Sequence, residues 1–179
     1  MNLPTKEECF EIFKEHKVPQ NIIEHCLMVN KIAVFLAEKL KQKGIEINIE
    51  LLDRASLLHD LDKIPTLNNH VEHGKLSEKI MIEKSYPELG KLISVHTCEN
   101  IKKGLVNTWE EKLLNYADMR VLNDKIVSAH KRFEYGRKRY PYFAKPEHRI
   151  TEKLAFGIEK EIFSHLDFKL EELEEEMKK

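Results

Sequence analysis

The apolar positions of this chain recur at three- and four-residue steps, the period of helices that bury one face. Thr5 and Glu8 form a capping box ahead of Cys9, Phe10, Ile12 and Phe13, which predicts a first, short helix. Val18-Pro19 ends it, and Pro19 stands in the opening turn of the second. The second helix carries Ile22, Cys26, Val29, Ala33, Leu36 and Leu40 on one broad face and closes near Lys43, with Gly44 as its C-cap. Asn48 caps a third helix through Leu51, Leu52, Leu57 and Leu58, broken by Pro65. Asn68-Asn69-His70 reads as a loop, His73 to Lys84 as a fourth helix, and Pro87 starts a fifth that ends near His96. Thr108 and Glu111 form a second capping box, opening a long helix expected to reach about Phe133. Tyr135 to Pro146 then reads as a basic and aromatic loop. The closing helix turns Leu154, Ile158, Ile162 and Leu166 inward and ends in a solvated acidic run, Glu171 to Glu176.

Nothing in the chain repeats, and no stretch reads as a linker between domains. The expectation is therefore an all-α fold in a single domain over residues 1–179. Its core is expected at about 19–135, with a C-terminal helix of about 147–177 packed on it. A hydrophobic content of 41%, a charged content of 34% and a net charge of -1 give no whole-chain argument for nucleic acid or a membrane surface. The balance is uneven, however: Met119 to Lys153 holds ten Lys/Arg against four Asp/Glu. Cys9, Cys26 and Cys98 are odd in number and widely spaced, which suits a reducing, cytoplasmic setting and suggests neither disulfides nor a zinc ribbon. No run is long enough to span a bilayer.

The apolar helix ending at Leu57-Leu58 is followed directly by His59-Asp60, an imidazole and a carboxylate side by side. Burying an ionised Asp among leucines costs several kcal/mol unless something pairs with it. His25 lies on the stripe of Val29, Ile32 and Leu36, and Asp118 lies on the flank of Leu114, Val121 and Leu122. One inward His is more often a satisfied core residue than a ligand. Four such groups from three helices, His25, His59, Asp60 and Asp118, argue together for a cation that neutralises the carboxylates. A His/Asp set without Cys disfavours structural zinc and suits Mn, Fe, Mg or catalytic Zn.

The order His25 … His59-Asp60 … Asp118 on a helical chain resembles the HD-domain metal-dependent phosphohydrolase superfamily, over roughly His25 to Asp124. Leu58-His59-Asp60-Leu61-Asp62-Lys63 is similar to the HDIGK variant, as in small stand-alone HD proteins, except that Asp62 stands where that variant has Gly. The resemblance implies an HD-like helical bundle with its metal site among the core helices. It implies His25, His59, Asp60 and Asp118 as ligands of one divalent ion (Fe, Mn, Mg, Co or Zn). His73 and His96 resemble the additional histidines of dinuclear members, in which the doublet Asp bridges two ions; a cap or surface role remains the alternative for both. His70 is a weaker candidate, and His16, His130, His148 and His165 match nothing in the pattern.

The activity implied is hydrolysis of a small-molecule phosphoester, such as a nucleotide, with Asp60 and Lys63 as catalytic residues. Arg132, Arg137 and Arg139, with Tyr135 and Tyr142, offer anion contacts and stacking for a substrate, against the alternative of a solvated basic loop. Other classes stay open: a diiron oxygenase using the same ligands, a non-catalytic signalling module, or an RNA-associated protein using the basic segment.

Overall fold

The computed structural model describes residues 1–67, 73–140, 144–146 and 148–179. Ten α-helices and one two-stranded hairpin are found among them. The capping box of Thr5 opens α1 (Lys6–Glu15), with Glu8 N donating to Thr5 Oγ1 at 3.1 Å and Thr5 N to Glu8 Oε2 at 2.7 Å. Helix α2 (Gln20–Gln42) follows Pro19 and ends at Lys43. Its buried face includes Ile22, His25, Cys26, Val29, Ile32, Leu36 and Leu40, so the stripe that carries the imidazole is a core stripe.

Asn48 caps α3 (Ile49–Leu58), accepting from Leu51 N at 3.0 Å. Helices α2 and α3 pack side by side. Asn30 of α2 ties them polarly by donating to Asp53 Oδ1 and Ser56 Oγ of α3, each at 2.9 Å. The third helix stops at Leu58 rather than running on toward Pro65, and 59–67 continues as a series of turns. His59 is thus the first residue past the helix, where its neighbour Asp60 is free to point the same way.

Helices α4 (Lys75–Glu83) and α5 (Pro87–Ser94) form a tight pair. Gly90 permits their approach: a Cβ there would lie 2.9 Å from the Glu78 carbonyl oxygen. Gly74 precedes α4 at φ 86°, a left-handed conformation that glycine adopts without strain. A short helix unforeseen in the sequence, α6 (Cys98–Lys102), leads toward α7 (Trp109–Met119), which opens on the expected capping box at Thr108.

The long helix expected from Thr108 to Phe133 is not formed. It is divided by the hairpin β1 (Val121–Leu122) and β2 (Lys125–Ile126), with Val121 paired to Ile126 and Leu122 to Lys125. Asn123 at φ 57° makes the two-residue turn, for which Asn-Asp is suited, and β-branched Val121, Ile126 and Val127 favour extended backbone around it. Ser128 then caps α8 (Ala129–Arg139), accepting from Lys131 N at 3.2 Å. Residues 135–139, expected in a loop, are therefore helical; Tyr142 lies outside the described residues.

Helix α9 (His148–Ser164) packs on α6 and α7 through Thr151, Ala155, Ile158 and Ile162. Ile158 and Ile162 are buried as expected, but Leu154, also expected inward, is 41% exposed, the stripe continuing instead through Ala155 and Thr151. The helix ends at Ser164 instead of reaching 177. The acidic run beyond it forms a 3-10 turn (Leu170–Glu172) and α10 (Leu173–Glu176), anchored by the buried Leu173. No helix among the described residues is long and apolar enough to cross a membrane.

Candidate metal centre

Six side chains from α2, the end of α3, the start of α4, the end of α5 and α7 meet in the core. The ligand atoms of His25, His59 and Asp118 lie within 4.8 Å of one another, and so do those of Asp60, His73 and His96. The two triads adjoin. Asp60 Oδ1 is 3.1 Å from His73 Nε2 and 3.7 Å from His96 Nε2, while Asp60 Oδ2 is 3.8 Å from both His25 Nε2 and His59 Nε2. Asp60 thus faces both triads, one oxygen to each.

The imidazoles are held in one sense. Each uses Nδ1 against an oxygen acceptor: His25 on the Asn123 carbonyl at 2.8 Å, His59 on the Ser56 carbonyl at 2.8 Å, His96 on the Ile93 carbonyl at 2.7 Å. His73 Nδ1 lies 2.7 Å from Asp62 Oδ1. A ring that donates from Nδ1 keeps its free lone pair on Nε2, and all four Nε2 atoms point into the space shared with Asp60 and Asp118. His59 Nε2 is fully buried and has no hydrogen-bond partner among the described residues. An orphaned buried nitrogen aimed at two carboxylates 3.8 and 3.9 Å away is what a cation ligand looks like before the cation is counted. The donor set fits a divalent metal.

The site's own charges set its protonation. Burial would raise the Asp60 carboxyl, but the charges of Lys63 and His59 hold it well below the ordinary range. Burial likewise works against Asp118, and the His25 hydrogen bond and the Arg132 guanidinium hold it low. Burial pushes His96 down to about 3, helped by the neighbouring His73. Burial opposes His73 as well, but its hydrogen bonds to Asp60 and Asp62 win and raise it to about 9, so without an ion its Nε2 carries a proton toward Asp60 that a metal would displace. Carboxylates stay ionised there, and both are available as ligands.

Asp62 has a structural role that only the folded chain shows. Fully buried, it accepts from His73 Nδ1 through Oδ1, and from Gly74 N at 2.8 Å and Ser77 N at 3.0 Å through Oδ2. One carboxylate therefore caps α4 and orients a candidate ligand. The sequence signal was present, as the departure from Gly, but without the fold it had no partner.

Lys63 Nζ lies 3.3 Å from Asp60 Oδ1 with its side chain 36% exposed, so the ammonium stands at the mouth of the cluster. Of the three arginines singled out, Arg132 bears on the site. It donates from Nε to the Val121 carbonyl at 3.0 Å, and its charge acts on Asp118 and Lys63. Arg137 is instead engaged by Glu152 of α9, and Arg139 sits over the Tyr140 ring. His70 lies outside the described residues. His148, which matched nothing in the sequence, is buried with Nδ1 3.0 Å from Glu99 Oε1, where it fixes the start of α9 on α6.

The profile of the HD domain matches residues 22–136, which contain all six clustered side chains. The chain belongs to the HD-domain family. An uncharacterised protein of Methanocaldococcus jannaschii is 33% identical over 121 residues, which are 60% of this chain and 70% of that relative. A tRNA (cytidine(56)-2'-O)-methyltransferase of Picrophilus torridus is 27% identical over 139 residues, 70% of this chain but 39% of its own length. No solved structure matches. Membership of the HD family, with the ligand-type clusters in its core, places the chain in a metal-dependent hydrolase superfamily.

Proposed function

We propose that this HD-domain protein hydrolyses a phosphoester, on a nucleotide or a related small molecule, at a site for two divalent ions. One observation carries the reading: four imidazoles, each anchored at Nδ1, turn Nε2 toward two low-pKa carboxylates, in two triads that meet at Asp60. His25, His59 and Asp118 would hold one ion, His73 and His96 the other, and Asp60 both. Bound there, divalent ions supply an acidified water as nucleophile and positive charge for the phosphoryl oxygens.

The remaining work belongs to the chain. Asn123, Ser56, Ile93 and Asp62 fix the rings, so the ligand geometry is set before a substrate arrives. Lys63, ionised and partly exposed beside Asp60, would add charge where the phosphate and leaving oxygen grow negative. Arg132, at the edge of the same cluster, is placed to hold a second anionic group of the substrate. The buried leucines around the doublet keep bulk water from the reacting atoms.

Elemental analysis of the purified protein, followed by a panel of nucleoside monophosphates, cyclic nucleotides and short RNA ends, tests this. RNA belongs in the panel because one relative is a tRNA-modifying enzyme by name. Near two ions per chain and turnover of one class is the expected result. Oxygen consumption by the ferrous-loaded protein without phosphoester turnover would replace the hydrolase with an oxygenase.

A further inference from the structure

Asn115 is a polar side chain at a position where packing alone would favour an apolar one. It stands on α7 among Leu113, Leu114, Tyr116 and Ala117 and is fully buried. Its amide oxygen Oδ1 is sealed from solvent with no hydrogen-bond donor among the described residues. A buried acceptor without a donor costs free energy. Leucine, branched at the same carbon with the same number of heavy atoms, would avoid that cost. The other half of the amide therefore has to account for the residue.

Asn115 Nδ2 donates to the backbone carbonyl of His96 at 2.7 Å. A carbonyl only accepts, so this partner fixes which way the amide is turned. His96 lies just past α5, where the helical ladder has ended. The N–H that would serve its carbonyl in a continued helix, that of Asn100, donates instead to the Thr97 carbonyl at 2.9 Å. The His96 N–H, at 3.1 Å, and its ring Nδ1, at 2.7 Å, both turn back onto the Ile93 carbonyl. Asn115 supplies a third anchor, at the carbonyl end. With the backbone held on both sides and the ring held at Nδ1, His96 Nε2 is aimed at His73 Nε2, 3.2 Å away, and Asp60 Oδ1, 3.7 Å away.

The same turn is braced from α6, where Asn100 Nδ2 donates to the Ser94 carbonyl at 3.1 Å and to Thr97 Oγ1 at 3.0 Å. Those bonds flank His96, whereas Asn115 reaches His96 itself. Asp118 stands one turn further along α7. One helix thus gives a ligand-type side chain to the triad of His25, His59 and Asp118, and holds the backbone of another in the triad of Asp60, His73 and His96.

We infer that Asn115 is a positioning residue of the metal centre, fixing His96 as a ligand through its backbone carbonyl. The inference rests on the two-ion reading above but not on turnover, since it is read from metal affinity.

Calorimetric titration of the chelated full chain with Zn2+ tests it, in the wild type, His96→Ala, Asn115→Leu and the double variant. His96→Ala identifies the binding step that needs the imidazole. Asn115→Leu should weaken that same step by about 10–100-fold, the usual cost of losing a group that orients a ligand, and leave the other step as it is. In the His96→Ala background it should change nothing further. Chelated Asn115→Leu should melt close to the wild type, because one unsatisfied buried acceptor is exchanged for another. A purely structural role predicts the reverse, a lower melting temperature without selective loss of metal. Equal weakening of both steps, unchanged affinity in a folded variant, or a further loss in the His96→Ala background overturns the inference. Wild-type affinity in His96→Ala overturns it too and removes His96 from the two-ion reading, whereas a failure of Asn115→Leu alone leaves that reading in place. Should Asn115→Leu not fold, Asn115→Ala goes through the same cycle and is judged by the same affinities.

Discussion

Replacing Asp62 by Asn removes one charge and converts one acceptor oxygen into a donor, at a position with no solvent to compensate. The wild-type carboxylate serves three donors: His73 Nδ1 on one oxygen, Gly74 N and Ser77 N on the other. An amide can keep two of them by placing its oxygen on Gly74 and Ser77. Its NH2 then faces His73 Nδ1, which must become the acceptor and pass its proton to Nε2. That ring no longer offers a lone pair to the cluster. The opposite orientation keeps His73 but sets the NH2 against two backbone N–H groups, so the first is favoured. Loss of the partner that orients a ligand typically weakens metal affinity about 10–100-fold, or about 1.4–2.7 kcal/mol. Exchanging charged for neutral acceptors adds about 1–2 kcal/mol of lost fold stability, a fall of roughly 2–8 °C for a chain of this size. Calorimetric titration of chelated protein with Zn2+ should show two binding steps in the wild type. In Asp62→Asn the tighter step stays and the other weakens. Two unaltered steps, or equal loss from both, would refute the reasoning that Asp62 acts through His73 alone.

Three further outcomes follow from the same geometry. Lys63→Ala should keep its metal content and lose about 100-fold in turnover on whichever phosphoester is found, the scale of one electrostatic stabiliser; wild-type turnover would move that role to Arg132. Gly90→Ala should destabilise by about 1–3 kcal/mol, since its Cβ would meet backbone at 2.9 Å, and a melting curve superimposable on the wild type would contradict the packing of α4 on α5. Chelation should lower the melting temperature by roughly 5–10 °C from a state with metal at about 100 times its Kd, a stabilisation of about 2.7 kcal/mol; no shift would mean that the imidazoles hold no ion.

Much of the framework was legible because it is local. Both capping boxes, the Asn48 cap and the stripe of α2 depend on residues a turn apart, and the chain forms them where the sequence places them. His25, His59, Asp60 and Asp118 stood out for a different reason, as polar groups on or beside apolar faces, whereas His73 and His96 were suggested by the family resemblance alone. What escaped was set by tertiary contact. Ile158 and Ile162 turn inward as expected, but packing of the first half of α9 on α6 and α7 turns Thr151 and Ala155 inward and Leu154 outward, against hydrophobicity alone.

The most informative miss is the hairpin after α7. Helical periodicity continues through Leu114, Asp118, Val121, Leu122 and Lys125, and a continuous helix would satisfy it. In such a helix the carbonyl of Asn123 would accept from a backbone N–H of the next turn. In the fold that carbonyl accepts from His25 Nδ1 at 2.8 Å, and the same break lets Val121 O accept from Arg132 Nε at 3.0 Å. The interruption therefore releases two backbone oxygens, one to orient a candidate ligand and one to hold a guanidinium beside Asp118. Asp62 follows the same logic on the other side of the cluster, capping α4 with the carboxylate that also aims His73. At both points a helix boundary is placed where the imidazole needs an acceptor, rather than where local propensity would end the helix. The boundaries hardest to read from the sequence are those the site has claimed for itself.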